Sequence, residues 1–596
     1  MSQKKNTLKY TILSAVLLVS LLVVSGCGEK KQTTTFKLPD KQEETEKPTG
    51  ISEVMEYKGF SYYINYDSEE IIITGYDDSE DDAKIPSQID NYAVTTIADA
   101  AFKNTEVLTV TIPTTVTNMT PLAFEQCPFL TAITVAEGSK SFSAEDGVLY
   151  TADGKTLVYY PAGKTDTEFT VPDSVTEICA NAFNYSVYLQ KVTLGSGVQE
   201  VKDYTFFGCL ALTELRLGSS VNQITAMAAY GSDLLTTYTV DEDNASFTAD
   251  SGVLYNVQKT RIITYPVSLS GTKFTVPAGV TEIAAYAFYE NNYITDISVP
   301  DTLTTIGNNA FKGTALASIV GNTAVTGIGD YAFRDCSALT EFIFSEGVTR
   351  IGDGAFYNTG ITTINLPNSV TEIGAYAFAD CAGVTSITLP ANLKEIGAGA
   401  FYNLALVQNL TVPAKVTTIG DAAFAGMTSL VSLVIPDSVT DMGESVAYGD
   451  TALTNVKIGN GITNVDDNSF YGCTSLASVT LGNSVRKIDD GAFYGCSALS
   501  SINIPDSVTL IRDYAFFQCA ALPQITLSDN VSKICYGAFA ECTALAQVNM
   551  PANIKRIKDH AFDGCTALSN VVLPEGFDVD SVDIGEGNDI LTAILG

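Results

Sequence analysis

The stretch "LSSINIPDSVTLIRDYAFFQCAA" (residues 499–521) decides how most of this chain folds. Ile502 and Ile504 have the two-residue spacing of side chains on the inner face of a short strand. Pro505 follows with turn chemistry, and "RDYAFF" turns a second corner that directs Phe516 inward. The stretch shows no ten-residue run of helical periodicity. It therefore predicts a small β-rich unit that buries too little surface to be stable alone.

The same unit recurs, mostly every 23 residues, over about residues 98–574. A fixed period of this length is the sequence signature of a solenoid, in which each coil adds one strand to a parallel sheet. The Phe that follows Ala in most copies is the expected core position. The clearest examples are Phe288, Phe333, Phe378, Phe424, Phe470, Phe493, Phe516, Phe539 and Phe562.

Two copies carry insertions, at about residues 141–168 and 246–273. The first contains "DGVLYTADGKTLVYYPAG" and the second "SGVLYNVQKTRIITYPVSLSG". Each has two β-rich runs around a polar turn, and Asp153-Gly154 is a strong hairpin signal. We expect two β-hairpins that project from the solenoid. They are either recognition loops or local splints between coils.

The copy "LASVTLGNSVRKIDDGAFYGCSA" (residues 476–498) resembles the leucine-rich repeat of BspA-like, treponemal-type surface proteins. The resemblance implies a right-handed β-rich leucine-rich-repeat solenoid with parallel strands and little α-helix. It also implies a β-rich N-terminal cap at residues 51–97, which would protect the first strand edge. Residues 575–596 are then a C-terminal cap or tail. Members of this family are associated with bacterial surface adhesion and protein binding.

The N-terminus reads as an export signal. Lysines precede the apolar run "YTILSAVLLVSLLVV" (residues 10–24), which is short for a membrane span. The run ends in "VSGC", which resembles the bacterial lipobox and implies lipidation of Cys27. We expect a signal peptide at 1–26, a polar disordered tether at 27–50 and a lipid anchor on the outer face of the cell membrane. The alternative is a short membrane anchor with an incidental Cys.

Composition excludes several functions. The formal net charge of −35 disfavours nucleic acid, which needs clustered Lys and Arg. The single His, His560, leaves no catalytic triad or multi-histidine metal site, so we expect no cofactor and no metal. Acidic runs at residues 77–82 and 578–589 do not fit the EF-hand pattern and are interpreted as solvated turns, with weak calcium binding as the alternative.

Nine of the twelve Cys residues share one position, three residues after the core Phe: Cys127, Cys209, Cys336, Cys381, Cys473, Cys496, Cys519, Cys542 and Cys565. Other copies place Thr, Ser, Asn, Met, Leu or Asp there. A catalytic thiol does not tolerate such exchanges, but a small buried packing position does. Disulfides between adjacent coils stay open as an alternative, although parallel in-register side chains suit their torsion poorly.

Aromatic residues mark the candidate interaction surface. The position after the core Phe carries Tyr289, Tyr357, Tyr402, Tyr448, Tyr471, Tyr494 and Phe517, and the position two before it carries a second set of tyrosines. Repeated at one strand spacing, they predict two aromatic ladders beside the core. Tyrosine is a good contact residue because it is rigid and amphipathic. The competing interpretation is that the rings only stabilise the coils.

These features predict a non-enzymatic, surface-tethered protein that recognises a protein or a glycan on host or neighbouring bacterial cells. The alternative is a structural or assembly protein of the cell envelope. An enzyme is disfavoured because the chain has no P-loop, G-x-S-x-G, H-E-x-x-H or Cys-His pair to build on.

Overall fold

The computed structural model describes residues 49–595, which stack short coils into a solenoid with two rows of parallel strands. Most coils contribute one strand to each row and then turn back towards the next coil. Corresponding residues of successive coils pair in register, as in Ile488 with Ile511 and Ile511 with Ile534. The prediction of a β-rich solenoid with parallel strands and little helix is confirmed.

The first row comes from the L-x-x-I-x-I part of each repeat. Its strands alternate buried and outward residues, as expected when one sheet face covers a core. They are Asp82–Lys84, Thr109–Ile112, Ala132–Val135, Glu168–Thr170, Lys191–Thr193, Glu214–Leu217, Thr237–Val240, Lys273–Thr275, Asp296–Ser298, Ser318–Val320, Thr363–Asn365, Ser386–Thr388, Ser432–Ile435, Asn455–Ile458, Ser478–Thr480, Ser501–Asn503, Gln524–Thr526, Gln547–Asn549 and Asn570–Val572.

The second row consists of two-residue strands. Each ends in the Ile, Val or Met that recurs once per repeat and faces the core. They are Glu177–Ile178, Glu200–Val201, Gln223–Ile224, Glu282–Ile283, Thr305–Ile306, Gly327–Ile328, Arg350–Ile351, Glu372–Ile373, Glu395–Ile396, Thr418–Ile419, Asp441–Met442, Asn464–Val465, Lys487–Ile488, Leu510–Ile511, Lys533–Ile534, Arg556–Ile557 and Asp583–Ile584.

The corner that carries the core Phe depends on left-handed backbone on both sides of it. In the coil of Phe516, Tyr514 has φ 57° and Gln518 has φ 59°. The equivalent residues of the preceding coil are Gly491 and Gly495, with φ 63° and 70°. Glycine adopts this conformation without strain, and Asn tolerates it better than most residues. The recurrence of Gly and Asn at these two positions therefore follows from the corner geometry.

The core Phe rings stack along the solenoid. Phe493 lies between Phe470 and Phe516, with ring centroids 5.4 and 5.3 Å away and planes within 12° of parallel. All nine Phe residues predicted as repeat core are at most 1% exposed. Because a single coil cannot cover both faces of its Phe, each ring is buried only by its neighbours, which makes the stacking cooperative.

A five-stranded sheet covers the N-terminal end. Its strands are Met55–Tyr57, Phe60–Asn65, Glu70–Tyr76, Gln88–Ile89 and Tyr92–Ile97. Phe60 and Tyr76 place their rings 6.3 and 5.4 Å from Phe102, the first core Phe of the array. The strand Asp82–Lys84 within this segment already pairs with Thr109–Ile112. The segment at 51–97 thus both covers the first coil and starts the first row.

The two insertions do not project into solvent. Each forms three strands that pair antiparallel in sequence, and the third joins a strand of the next coil in parallel. The strands are Phe142–Glu145, Val148–Thr151 and Thr156–Tyr159 in the first insertion, and Phe247–Asp250, Val253–Asn256 and Arg261–Thr264 in the second. Their apolar side chains are buried on both faces, so each insertion lies across the core.

The consequence is a core divided into three clusters. In the first insertion Leu149 and Val158 pack into the cluster on the N-terminal side, whereas Tyr150 and Leu157 pack into the next one. The second insertion repeats this division between the middle cluster and the C-terminal one. We call these insertions the first wall (142–160) and the second wall (247–265). The expected projecting hairpins are therefore wrong in placement, because alternate residues of each strand bury in opposite directions.

The C-terminal end extends the ladder beyond the repeat. Asp583–Ile584 pairs with Arg556–Ile557, and the short helix Asp589–Leu595 follows, with Leu591 fully buried in the core cluster. Four 3-10 turns complete the elements: Pro121–Phe124, Ala226–Ala229, Asn322–Ala324 and Val579–Ser581. Over residues 49–595, no helix has the length and apolarity needed to cross a bilayer.

Candidate interaction surface

Four of the predicted aromatic residues form one continuous stack, which we call the aromatic ladder: Tyr448, Tyr471, Tyr494 and Phe517. Successive ring centroids are 4.8, 4.5 and 4.7 Å apart, and the first two ring pairs lie within 9° of parallel. Each residue directly follows the core Phe position, so the corner that buries the core side chain turns the next one outward. Tyr448 is 45% exposed at one end, and the others are half-buried by each other.

The aromatic ladder continues by edge contacts. Tyr514 packs against Phe517 with centroids 5.7 Å apart, and then against Tyr536 and, through it, His560. Tyr536 was not predicted, because it stands in a position that is Asp in the three preceding coils. Its position directly precedes the one that carries the second set of tyrosines, such as Tyr514 in the preceding coil. This adjacency at the corner is the signal that could have found Tyr536.

The other three predicted residues lie elsewhere. Tyr289 packs against Tyr230 and Tyr286 beside the second wall. Tyr357 lies under Arg334, whose guanidinium carbon is 4.7 Å from the ring centroid. Tyr402 is 41% exposed. Tyr357 and Tyr402 do not continue a ladder, because Ala379 and Ala425 occupy the corresponding position of the following coils.

The second set of tyrosines does not form a continuous stack, because none of its members is followed by another tyrosine in the next coil and three are followed by glycine. Tyr331, Tyr376 and Tyr514 each lie against a glycine of the next coil, and a Cβ built on Gly399 would come within 2.4 Å of the Tyr376 ring. Their backbone is left-handed, with φ between 53° and 57°. These tyrosines therefore cover glycine corners, which is a stabilising role for the rings.

An acidic row borders the aromatic ladder. Each carboxylate of Asp467, Asp490 and Asp513 accepts a hydrogen bond from a backbone N–H of the next coil, at 2.8, 3.0 and 2.9 Å. Two basic side chains neutralise part of the row: Arg512 lies 3.1 Å from Asp490 and Lys558 lies 3.4 Å from Asp513. Such exposed pairs contribute little to stability. The row is only partly neutralised by these pairs, so it remains an acidic rim beside the rings.

Two carboxyl groups near this surface are shielded from solvent, Asp466 in part and Asp450 completely. Burial raises the pKa of Asp466 to about 6, and Asp489, Asp467 and Glu444 add to the shift. Asp450 is fully buried in the Cys position, and burial raises the pKa of its carboxyl well above the usual range. One oxygen of Asp450 accepts from the Met427 N–H at 2.8 Å, and the other has no partner.

The Cys position is a hydrogen-bonding position. All nine thiols donate to the backbone carbonyl of the core position one coil earlier, as Cys496 does to Phe470 at 3.2 Å and Cys127 to Phe102 at 2.8 Å. Ser232 makes the same bond to Phe206 at 2.7 Å. Burial raises the pKa of Cys496 to about 12, so this thiol is not a nucleophile at neutral pH. All cysteines of the described residues are free.

Groups of His, Cys, Asp and Glu with metal-binding geometry are absent from residues 49–595. His560 is part exposed and lies 3.2 Å from Asp563, outside any cleft with a nucleophile. Cys27, the predicted lipidation site, lies outside the described residues, as do the signal segment and the tether up to residue 48.

The geometry defines a class of protein: a repeat scaffold that presents long rows of side chains. The sequence assigns the family. Segments 83–146, 162–271, 264–385, 349–477 and 463–581 match the model "BspA type Leucine rich repeat region (6 copies)", which covers well over half of the chain. The protein belongs to the BspA-type leucine-rich repeat family. No curated protein matches the chain.

Several solved structures resemble the chain. A leucine-rich repeat protein from Bacteroides ovatus is 27% identical and aligns over 57% of this chain and 97% of its own, with a TM-score of 0.44. A leucine rich cell surface protein from Faecalibacterium prausnitzii is 21% identical over 76% and 94%, with a TM-score of 0.31. The pneumococcal vaccine antigen PcpA is 17% identical over 78% and 95%, with a TM-score of 0.29.

Membership of the family supports two coarse statements. Leucine-rich repeat proteins of this kind are generally binding scaffolds and not enzymes, and the family includes cell-surface proteins. Recognition of another protein is consistent with both statements.

Proposed function

We propose that the protein is a lipid-anchored recognition protein of the bacterial cell surface, which adheres to a protein or a glycan on a host or neighbouring cell through the aromatic ladder. The observation that carries the proposal is the stack Tyr448–Tyr471–Tyr494–Phe517. These rings are held by their neighbours before any partner arrives, so binding costs little side-chain entropy.

The surroundings of the aromatic ladder favour a partner with basic or hydroxyl-rich groups. The acidic row Asp467, Asp490 and Asp513 would repel an acidic partner and pair with Lys, Arg or sugar hydroxyls. A regular array of identical edges also suits a repetitive or extended ligand, since many shallow contacts add up along the solenoid.

The experiment is a binding screen of the purified chain against host matrix proteins, glycans and bacterial envelope extracts, with a matched pair of variants. The double variant Tyr471→Ala/Tyr494→Ala should lose at least about tenfold in affinity for the identified ligand, as expected for paired aromatic hot spots. Tyr402→Ala removes an exposed tyrosine of the same repeat position and should change affinity less than about twofold.

The outcomes separate the alternatives. Saturable binding to a host component that depends on Tyr471 and Tyr494 supports adhesion. Binding only to envelope material would replace adhesion by a structural or assembly role. Equal losses in the double variant and in Tyr402→Ala would overturn the assignment of the aromatic ladder.

The anchor is tested separately. Metabolic labelling with a fatty acid should tag the wild-type protein, and Cys27→Ala should abolish the label, because the lipobox thiol is the acceptor. The control Thr33→Ala, a substitution in the predicted tether, should keep the label. Label that persists in Cys27→Ala would refute lipidation at this residue.

A further inference from the structure

A cavity lies beside the second wall, at two positions where the first wall carries larger residues. In the first wall Phe124 and Tyr159 stack with ring centroids 5.1 Å apart and fill the space on the N-terminal side. The equivalent residues of the second wall are Ala229 and Thr264. Both substitutions remove an aromatic ring from the same place, and a cavity of about 400 Å³ lies beside these two residues.

Tyrosine is the most frequent residue in the lining of the cavity. Its aromatic residues are Tyr230, Tyr238, Tyr265, Tyr286, Tyr289 and Tyr293. Tyr238 and Tyr265 are buried, whereas Tyr293 is 52% exposed, so the cavity connects the core to the surface. The residues of the first wall at the positions of Tyr230, Tyr286 and Tyr289 are Glu125, Asn181 and Asn184. The missing bulk and the added rings therefore occur together in one wall only.

The rings form a connected group. The Tyr230 and Tyr289 centroids are 5.6 Å apart, and those of Tyr286 and Tyr289 are 5.5 Å apart, with planes inclined by 64° and 61°. Aromatic rings grouped around one space can offer electron-rich faces to a cation bound there. This is the arrangement that attracts a cation through the ring quadrupoles.

The charges of the lining have one sign. Asp233 and Glu290 are the charged residues that line the cavity, and no lining residue is basic. Burial raises the pKa of both Tyr230 and Tyr289, and the negative charge of Glu290 raises each further. The phenols therefore stay neutral at physiological pH, and the charge of Glu290 sets a negative potential at the rings. Burial raises the pKa of the Asp233 carboxyl, so Asp233 contributes less to this potential.

One ring of this group already accepts a cation of the chain. The Nζ of Lys312, which does not line the cavity, lies 5.5 Å from the centroid of Tyr289. The Tyr289 ring is therefore accessible to a positive charge that belongs to another coil.

We propose that the second wall holds a binding site for an organic cation with an alkylammonium head group, formed by the tyrosines of the cavity together with Glu290 and Asp233. A quaternary ammonium suits the lining best, because it needs no hydrogen-bond acceptors and interacts with ring faces. The cavity is a small-molecule site in size. It lies apart from the aromatic ladder, so this inference does not rest on the proposed adhesive function.

The test is titration of the purified chain with choline and with its neutral isostere 3,3-dimethylbutan-1-ol, followed by calorimetry and ligand-observed NMR. Choline should bind saturably, and the isostere at least about tenfold more weakly, since only the charge differs. Equal binding of the two compounds would show an apolar or hydroxyl-binding pocket and overturn the proposal, as would no binding of choline.

Three variants locate the site. Thr264→Tyr restores the residue of the first wall and should abolish choline binding by filling the cavity. Tyr289→Leu should weaken binding at least about tenfold, and Glu290→Gln should weaken it several-fold while leaving binding of the isostere unchanged. Tyr188→Leu, at the position of the first wall that corresponds to Tyr293, is the matched control and should bind choline as the wild type does.

Folding of each variant is checked by circular dichroism before titration. Should Thr264→Tyr fail to fold, Tyr289→Leu and Glu290→Gln still decide the question. Unchanged choline affinity in both would refute the site. Phosphatidylcholine vesicles present the same head group on a membrane: binding to choline alone indicates a soluble ligand, and binding to both indicates that the site also reaches a lipid head group.

Discussion

The two halves of the described chain are built from the same coil, yet they bury it in different ways. From Val253 onward one hydrophobic cluster runs without interruption to Leu591, through coils that differ mainly at their surfaces. Before that, the first and second walls divide the core into two further clusters. At each wall, the coils on the two sides do not pack directly on each other. They pack on the two faces of the antiparallel sheet that lies between them. The comparison teaches that one repeat can serve either a long cooperative array or a set of short separate ones.

The largest expected effect is the loss of stability when a core Phe is removed. The two regions should differ in how many neighbouring coils lose protection from hydrogen exchange. Phe493→Ala should destabilise its surroundings by about 3–5 kcal/mol, because the ring is buried between Phe470 and Phe516. Hydrogen exchange measured by mass spectrometry should show lost protection in coils on both sides.

Phe124→Ala is the counterpart in the divided region. Its ring is backed by Tyr159 of the first wall, so the loss of protection should stop there. Faster exchange that extends past residue 160 into the middle cluster would contradict the separation of the two cores.

The walls themselves can be tested by two neighbouring substitutions. Leu149→Ala and Leu157→Ala each remove a fully buried side chain and should cost about 2–5 kcal/mol. Because Leu149 faces the N-terminal cluster and Leu157 the middle one, the first should speed exchange among residues 60–135 and the second among residues 169–240. The same exchange pattern in both variants would show that the walls do not separate the clusters.

A stabilising change is expected in the uninterrupted array. Asp450→Cys replaces a buried carboxyl, which has one unpaired oxygen, by the residue that nine coils carry at this position. It should add about 1–3 kcal/mol at pH 7. The folded-state pKa of Asp450 lies above the unfolded one, so ionisation disfavours folding once the pH exceeds the unfolded value of about 4.

The gain from Asp450→Cys should therefore disappear as the pH falls below about 4, where both states are protonated. Chemical denaturation at several pH values measures this. Cys473→Ser is the control, since Ser232 already makes the same bond, and it should change stability by less than about 1 kcal/mol. A gain from Asp450→Cys that is equal at pH 3 and pH 7 would exclude the carboxyl as its cause.

The smallest effect concerns Asp466, whose pKa is raised to about 6 by burial and by neighbouring carboxylates. Here too the folded pKa exceeds the unfolded one, so wild-type stability should fall between about pH 4 and pH 6. Asp466→Asn should remove this slope and add on the order of 1 kcal/mol at pH 7, because solvent screens a half-exposed group. The pH dependence of the unfolding midpoint measures it, and an unchanged slope in Asp466→Asn would assign the titration to another carboxyl.

The sequence predicted the repeat well because its physics is local. The spacing of Ile502, Ile504 and Phe516 places strand and corner without knowledge of the rest of the chain. The aromatic ladder was also predicted by position. Lys312, Ala379 and Ala425 follow Tyr289, Tyr357 and Tyr402 in the next coils, which reduces seven candidates to four.

The walls and the cavity were not predictable in the same way. Whether an antiparallel insertion projects or lies across the core depends on which neighbours its two faces meet, and alternation in Val148, Leu149 and Tyr150 does not decide this. Thr264 and Ala229 line the same cavity only because the strands of the second wall pair with the neighbouring coils. Both features are tertiary, and a repeat pattern carries no signal for them.

The nine thiols of the repeat form a built-in set of chemical probes. Each is sealed while its coil is closed and becomes reactive towards an alkylating reagent only when that coil opens. Mass spectrometry of the alkylated peptides from Cys127 to Cys565 would thus record local opening at nine places along one unmodified chain. The order in which the thiols react would give the sequence in which the solenoid comes apart.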